Sequence, residues 1–138
     1  MHVPFRRLYA DEYGMSHMET VESELAVSEA AALPWAPFTG SAESLWIGAP
    51  KNWATDEPHP APRRMMLLTV RGEYEIDIKD GRVHRFTPGS VLFMEDTTGV
   101  GHKTRVTSQD DLILFAVVLP PSYDCSHMKK QPAAAIRH

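Results

Sequence analysis

The chain has one cysteine, Cys125, among its 138 residues. It has no internal partner for a disulfide, so packing must hold the fold and nothing points to an oxidising compartment. Long apolar runs are missing as well. The longest, Leu112–Pro120, is strand-sized and well short of the ~18 residues a membrane helix needs. Basic excess is also absent: 14 Lys and Arg stand against 18 Asp and Glu, a formal charge of −4 with a pI near 5.9. A dedicated nucleic-acid surface neutralises phosphates, so this balance argues against one. Met1–Tyr13 carries Arg6 and Arg7 but no apolar stretch of signal-peptide length, and the expected location is the cytoplasm. No internal repeat and no low-complexity block is visible.

What is present is an average globular composition, 43% hydrophobic and 23% charged. A chain of this size is one domain and buries roughly two-thirds of its unfolded surface. Eleven prolines and eight glycines divide it into short segments. Glu73–Lys79 alternates, with Tyr74, Ile76 and Ile78 on one face and Glu73, Glu75, Asp77 and Lys79 on the other. That is the period of a half-buried strand. Asp80-Gly81 follows as a hairpin signal, Val83–Phe86 returns, and Pro88-Gly89 turns again. Arg64–Val70, Val91–Met94, His102–Val106 and Leu45–Ile47 read as further strands, and Leu112–Leu119 as one buried on both faces. Met15–Leu25 reads as a strand, and Ser28–Ala32 as a helical turn capped by Ser28 and stopped by Pro34. The expectation is a single all-β domain. Its barrel core covers about 44–119, with N-terminal strands and loop at 1–43 and a C-terminal tail at 120–138.

Trp53–Val106 carries a spacing that resembles the cupin family. The first cupin motif, G-x5-H-x-H-x3–4-E-x6-G, falls on Trp53, His59, Ala61, Met65 and Gly72, with His59 and Gly72 keeping the family residue. The second, G-x5-P-x-G-x2-H-x3-N, starts at Gly89 and has Glu95 in the proline position. A loop two residues longer then leads to Gly99-Val100-Gly101-His102, and Val106 replaces asparagine. The phrases His59-Pro60-Ala61-Pro62-Arg63-Arg64 and Glu95-Asp96-Thr97-Thr98-Gly99-Val100-Gly101-His102 look like signatures of a subgroup of small single-domain cupins. The resemblance implies a double-stranded β-helix (jelly-roll) barrel with a short N-terminal extension and a small-molecule pocket.

A metal-binding cupin uses three histidines and a glutamate, since a divalent ion needs several N and O donors converging at ~2.0–2.2 Å. Ala61 and Met65 stand in two of those positions and donate nothing. His59 and His102 would be the ligands if a divalent metal is bound, with Glu95, Asp96, His84 and His17 as further donors nearby; no tightly bound cofactor is the favoured expectation. Cys125 and His127 also have ligand spacing, though a tail is a poor place for a site. Strand parity puts Arg63 on the face of His59, Ala61 and Met65, unless Pro60 and Pro62 break the register and turn Arg64 inward instead. An inward arginine suits an anionic substrate.

The expected function is therefore acid–base chemistry of isomerase, lyase, decarboxylase or cyclase type on a small organic acid or enolisable carbonyl compound. His59 and His102 act as acid and base, since imidazole titrates near neutrality. Arg63, Arg64, Trp53, Met65 and Glu95 are the candidate substrate-binding residues. The alternatives are a metal-dependent, dioxygenase-type cupin and a non-catalytic ligand-binding barrel. A homodimer is expected, because sheet edges need covering.

Overall fold

The computed structural model describes residues 2–28, 31–35, 43–123 and 129–130. Among these there are twelve strands and no helix, and so no helix long and apolar enough to cross a membrane. The strands are β1 (His2–Ala10), β2 (Ser16–Glu24), β3 (Ala26–Ser28), β4 (Ala31–Trp35), β5 (Ser44–Ala49) and β6 (Met65–Arg71). They continue with β7 (Tyr74–Asp77), β8 (His84–Phe86), β9 (Val91–Met94), β10 (Lys103–Val106), β11 (Leu112–Val118) and β12 (Lys129–Lys130). A seven-stranded sheet runs β12-β2-β1-β9-β6-β11-β5, a three-stranded sheet runs β10-β7-β8, and β3 pairs with β4 alone.

The two larger sheets share one apolar core, the arrangement of a β-sandwich or barrel. From the large sheet come Leu8, Met65, Leu67, Leu92, Met94, Leu114 and Ala116; from the small one come Tyr74, Ile76, Phe86 and Val106. The alternation in β7 places Tyr74 and Ile76 inward, and Tyr74 stacks on its cross-strand partner Phe86 with ring centroids 4.9 Å apart. A second, smaller cluster covers part of the outer face of the large sheet: Phe5, Val21, Phe93 and Leu119, with Met66, Val91 and Tyr123 against it. In β11 one face is buried and the other, Ile113, Phe115 and Val117, is only half-buried, not sealed on both sides as expected.

Two segments differ from the sequence reading. The helical turn expected at Ser28–Ala32 is the end of β3 and the start of β4, an antiparallel pair; residues 29–30 lie outside the described set. One isolated helical turn fixes several residues for a single hydrogen bond, whereas strand pairing satisfies more of the backbone. The other is β1, which lies in the stretch expected to hold N-terminal strands and loop but has no strand pattern of its own. Its partners are distant: antiparallel β2 throughout and parallel β9 at Arg6–Leu8. In the tail, Lys129 and Lys130 add to the edge of β2, while Cys125 and His127 lie outside the described residues.

Leu92 is fully buried between the sheets, whereas Leu68, on the outer face of the neighbouring strand, is 39% exposed. Leu92→Ala is expected to lower unfolding free energy by about 2–5 kcal/mol, and Leu68→Ala by less than about 1 kcal/mol. Urea denaturation of both variants gives the comparison; equal losses would contradict this assignment of faces.

Candidate functional site

His59 and His102 meet across a single antiparallel bridge. The His59 amide donates to the His102 carbonyl at 3.1 Å, and the His102 amide donates back at 3.0 Å. The bridge stays isolated because the next amide along, that of Ala61, donates to the Asp96 carbonyl at 3.0 Å instead of continuing the ladder. Residues paired in this way project from the same face of a sheet. His102 has the parity of inward-facing Val106 in β10, so both imidazoles lie on the core side, ring centroids 5.6 Å apart. His102 is buried, 2% exposed, while His59 is open to solvent.

The tautomers follow from their partners. His59 Nδ1 lies 3.1 Å from the Pro60 carbonyl, which only accepts, so Nδ1 carries the hydrogen. His102 Nδ1 lies 2.7 Å from Asp96 Oδ2, and a carboxylate likewise accepts. In neutral form each ring thus keeps its lone pair on Nε2. Asp96 is fully buried and also accepts from the Ser16 hydroxyl at 3.0 Å; its Oδ1 is buried without a hydrogen-bond partner. Ser16 sits on the carboxylate and not on the imidazole. The group is therefore a carboxylate–histidine dyad rather than an arrangement that activates a serine nucleophile.

Two glycines make this loop possible. Gly99 and Gly101 both have positive φ, 82° and 80°, which L side chains rarely adopt. A Cβ on Gly101 would overlap the backbone of His59 and Pro60, and one on Gly99 would overlap Gly14. The second contact brings the β1–β2 turn onto the loop, where the Val100 amide donates to the Gly14 carbonyl at 2.8 Å. Ser16 is thereby carried to Asp96. Asp96 is among the candidate donors named from the sequence, and Ser16 is not. The signal for Asp96 was its place six residues before His102 in a glycine-rich loop; Ser16 had no local signal.

The other candidates lie elsewhere. Ala61 and Met65 are buried in the core, but the strand does not run through 59–65, so Arg63 does not share their face. Arg63 is exposed and pairs with Glu43. Arg64 has the parity of outward Met66 and donates from Nη2 to Glu95 Oε2 at 2.9 Å and from Nη1 to the Tyr123 carbonyl at 2.9 Å. Glu95 is also held by Arg7, which reaches Glu19 at 2.8 Å. This four-residue network lies on the outer face of the large sheet, beside Phe93. Trp53 is 41% exposed, and its carbonyl accepts from the Val106 amide. The structure thus joins His59 to His102, and separately Arg64 to Glu95.

A divalent ion fits this donor set poorly. Two imidazoles converge, Ala61 and Met65 supply nothing, and Asp96 Oδ2 is engaged in orienting His102. Among the described residues no group of three or more His, Cys, Asp or Glu is placed to hold a metal. No protein-family model matches the chain, and no curated protein matches it.

Gly101→Ala combines a forbidden φ with backbone overlap at His59, so it is expected to lose about 2–4 kcal/mol and to break the histidine bridge. Thermal denaturation, together with amide exchange at His59 and His102, reads both effects. A variant as stable as the parent with both amides still protected would show the close approach to be unnecessary.

Proposed function

We propose that this protein is a cupin-type barrel enzyme doing acid–base chemistry on a small organic acid or enolisable carbonyl compound. The observation that carries the proposal is the facing pair His59 and His102, each with Nδ1 tied down and Nε2 left as the available nitrogen. In this reading one neutral imidazole removes a proton from the carbon beside a carbonyl. The C–H electrons become the C=C bond of an enol, and the second imidazole, entering protonated, gives its proton to the carbonyl oxygen. Return of a proton to a different carbon completes an isomerisation; loss of a β-substituent instead completes an elimination. Asp96 fixes the His102 ring and stabilises the imidazolium when His102 is the base, which is the ordinary role of a carboxylate behind a histidine. Arg63 and Arg64 have no part in this mechanism.

The proposal includes a homodimer. The outer face of β5, β11 and β6 presents a cross-strand row of Trp46, Phe115 and Leu68, with Trp46 66% exposed and Val70 47% exposed nearby. An exposed apolar row of this kind suits a second copy of the same face. Sedimentation is expected to show a dimer at micromolar concentration and a shift toward monomer in Trp46→Glu. A monomeric parent protein would remove the dimer and leave the chemistry untouched.

Proton abstraction can be read without knowing the product. In D2O, one member of a panel of small 2-oxo and 3-oxo acids is expected to exchange its α-hydrogen for deuterium by NMR. His59→Gln and His102→Gln should each slow that exchange by about 100-fold or more, and Asp96→Asn less. Exchange that survives both histidine substitutions would overturn the reading. Exchange abolished by a chelator and restored by a divalent metal would establish the metal-dependent alternative.

A further inference from the structure

A second polar cluster occupies a different stretch of the β1–β2 pair. Arg6 has the inward parity of Leu8 and stands opposite Thr20 in the register. Its Nη2 lies 2.9 Å from His84 Nδ1. A guanidinium only donates, so Nδ1 accepts, and the His84 hydrogen is on Nε2, which donates to Asp80 Oδ2 at 2.7 Å. The other Asp80 oxygen accepts from the Arg82 amide at 3.1 Å. Asp80 is thus committed to the β7–β8 turn. Beside this relay is a small cavity of about 70 Å³ lined by Arg6, Met18, Glu19, Thr20, Arg82, Val83 and His84. Its one lining carboxylate, Glu19, is engaged by Arg7 at 2.8 Å.

We propose that this cavity binds the oxyanion head of a small molecule, a carboxylate or a phosphate, between the guanidinium groups of Arg6 and Arg82 with the Thr20 hydroxyl beside it. Guanidinium groups bind such oxygens through paired, charge-assisted hydrogen bonds. The volume admits a few heavy atoms, roughly two waters' worth of liquid at about 30 Å³ each. Arg82 and Val83 also line a groove of about 450 Å³ on the outer side of the small sheet, bordered by Thr55, Glu75, Asp77, Lys103 and Arg105, and in this proposal the body of the ligand lies there. Burial chiefly holds the Arg6 pKa below its ordinary value; Asp80 raises it and Arg82 lowers it further. Arg82 is thus near enough to act on Arg6, with Asp80 as the larger, opposing charge. The site is independent of the His59–His102 pair, since fully buried Leu8 lies between Arg6 and the end of β1 that faces Ser16.

The test is NMR titration of the His84 ring nitrogens in the full chain, at constant ionic strength, with inorganic phosphate, acetate and phenyl phosphate. Saturable shifts in the millimolar range are expected for phosphate or for acetate, and the one that saturates identifies the head group. Arg82 is exposed, so Arg82→Gln should leave the fold intact while weakening binding about tenfold, and Arg64→Gln should leave binding unchanged. Tighter binding of phenyl phosphate than of phosphate would add support for the groove. No saturable shift with any of the three probes would overturn the proposal. So would equal weakening by Arg82→Gln and Arg64→Gln, or no weakening by Arg82→Gln.

Discussion

The two backbone hydrogen bonds between His59 and His102 hold together more of this molecule than their number suggests. They attach the proline-rich segment before β6 to the free edge of the small sheet, which a second bridge, Ala54 to Arg105, also covers. The edge is closed without a full strand, because the Ala61 amide turns to the Asp96 carbonyl instead of continuing the ladder. The same bonds set two imidazoles side by side on the core face. Edge protection and site assembly are therefore one event, and both require Gly101 to pass against the His59 backbone without a side chain.

The interior between the sheets is apolar along most of its length, and two polar clusters stand at its margins, apart from buried Thr69 and the Tyr74 hydroxyl. One holds Ser16, Asp96 and His102; the other holds Arg6, His84 and Asp80. In each, a carboxylate accepts from a histidine, but the exposed chemistry differs. In the first, the hydrogen is on Nδ1 and Nε2 is left open; in the second, Nδ1 accepts from an arginine and Nε2 donates to a carboxylate. The first leaves a lone pair that can take up a proton, and the second has both ring nitrogens engaged, one by Arg6 and one by Asp80. The neighbours thus assign opposite roles to two histidines of identical intrinsic chemistry.

On the outer face, Arg7, Glu19, Glu95 and Arg64 form a half-buried network over Phe93 and Tyr123. Partial burial of ion pairs adds little net stability, because desolvation offsets the Coulomb gain. Their value is in register: Arg7 on β1, Glu19 on β2, and Glu95 just beyond β9 meet only when β1 pairs with both neighbours as it does here. A slip of β1 by one residue would turn Arg7 toward the apolar core and take it from both glutamates.

Local sequence determined the strands whose signal is periodic or punctuated. Tyr74, Ile76 and Ile78 alternate with charges, Asp80-Gly81 turns the chain, and Val91–Met94 is apolar between a Pro-Gly turn and an acidic loop; each became a strand or turn where expected. The candidate pair His59 and His102 was also legible, because each sits in a spaced motif. Tertiary structure alone decided the rest. β1 has no pattern of its own and is a strand because β2 and β9 supply its hydrogen bonds. Arg63 lies outside because the strand parity that would turn it inward does not hold through Pro60 and Pro62; Arg64, which a broken register was expected to turn inward, instead has the outward parity of Met66. Ser16 and Arg6 joined buried clusters through residues about 80 positions away, a proximity that pairing and loop closure create. Period and turn chemistry act over a few residues, whereas the partner of a buried polar group is set by the register of strands far apart in the chain.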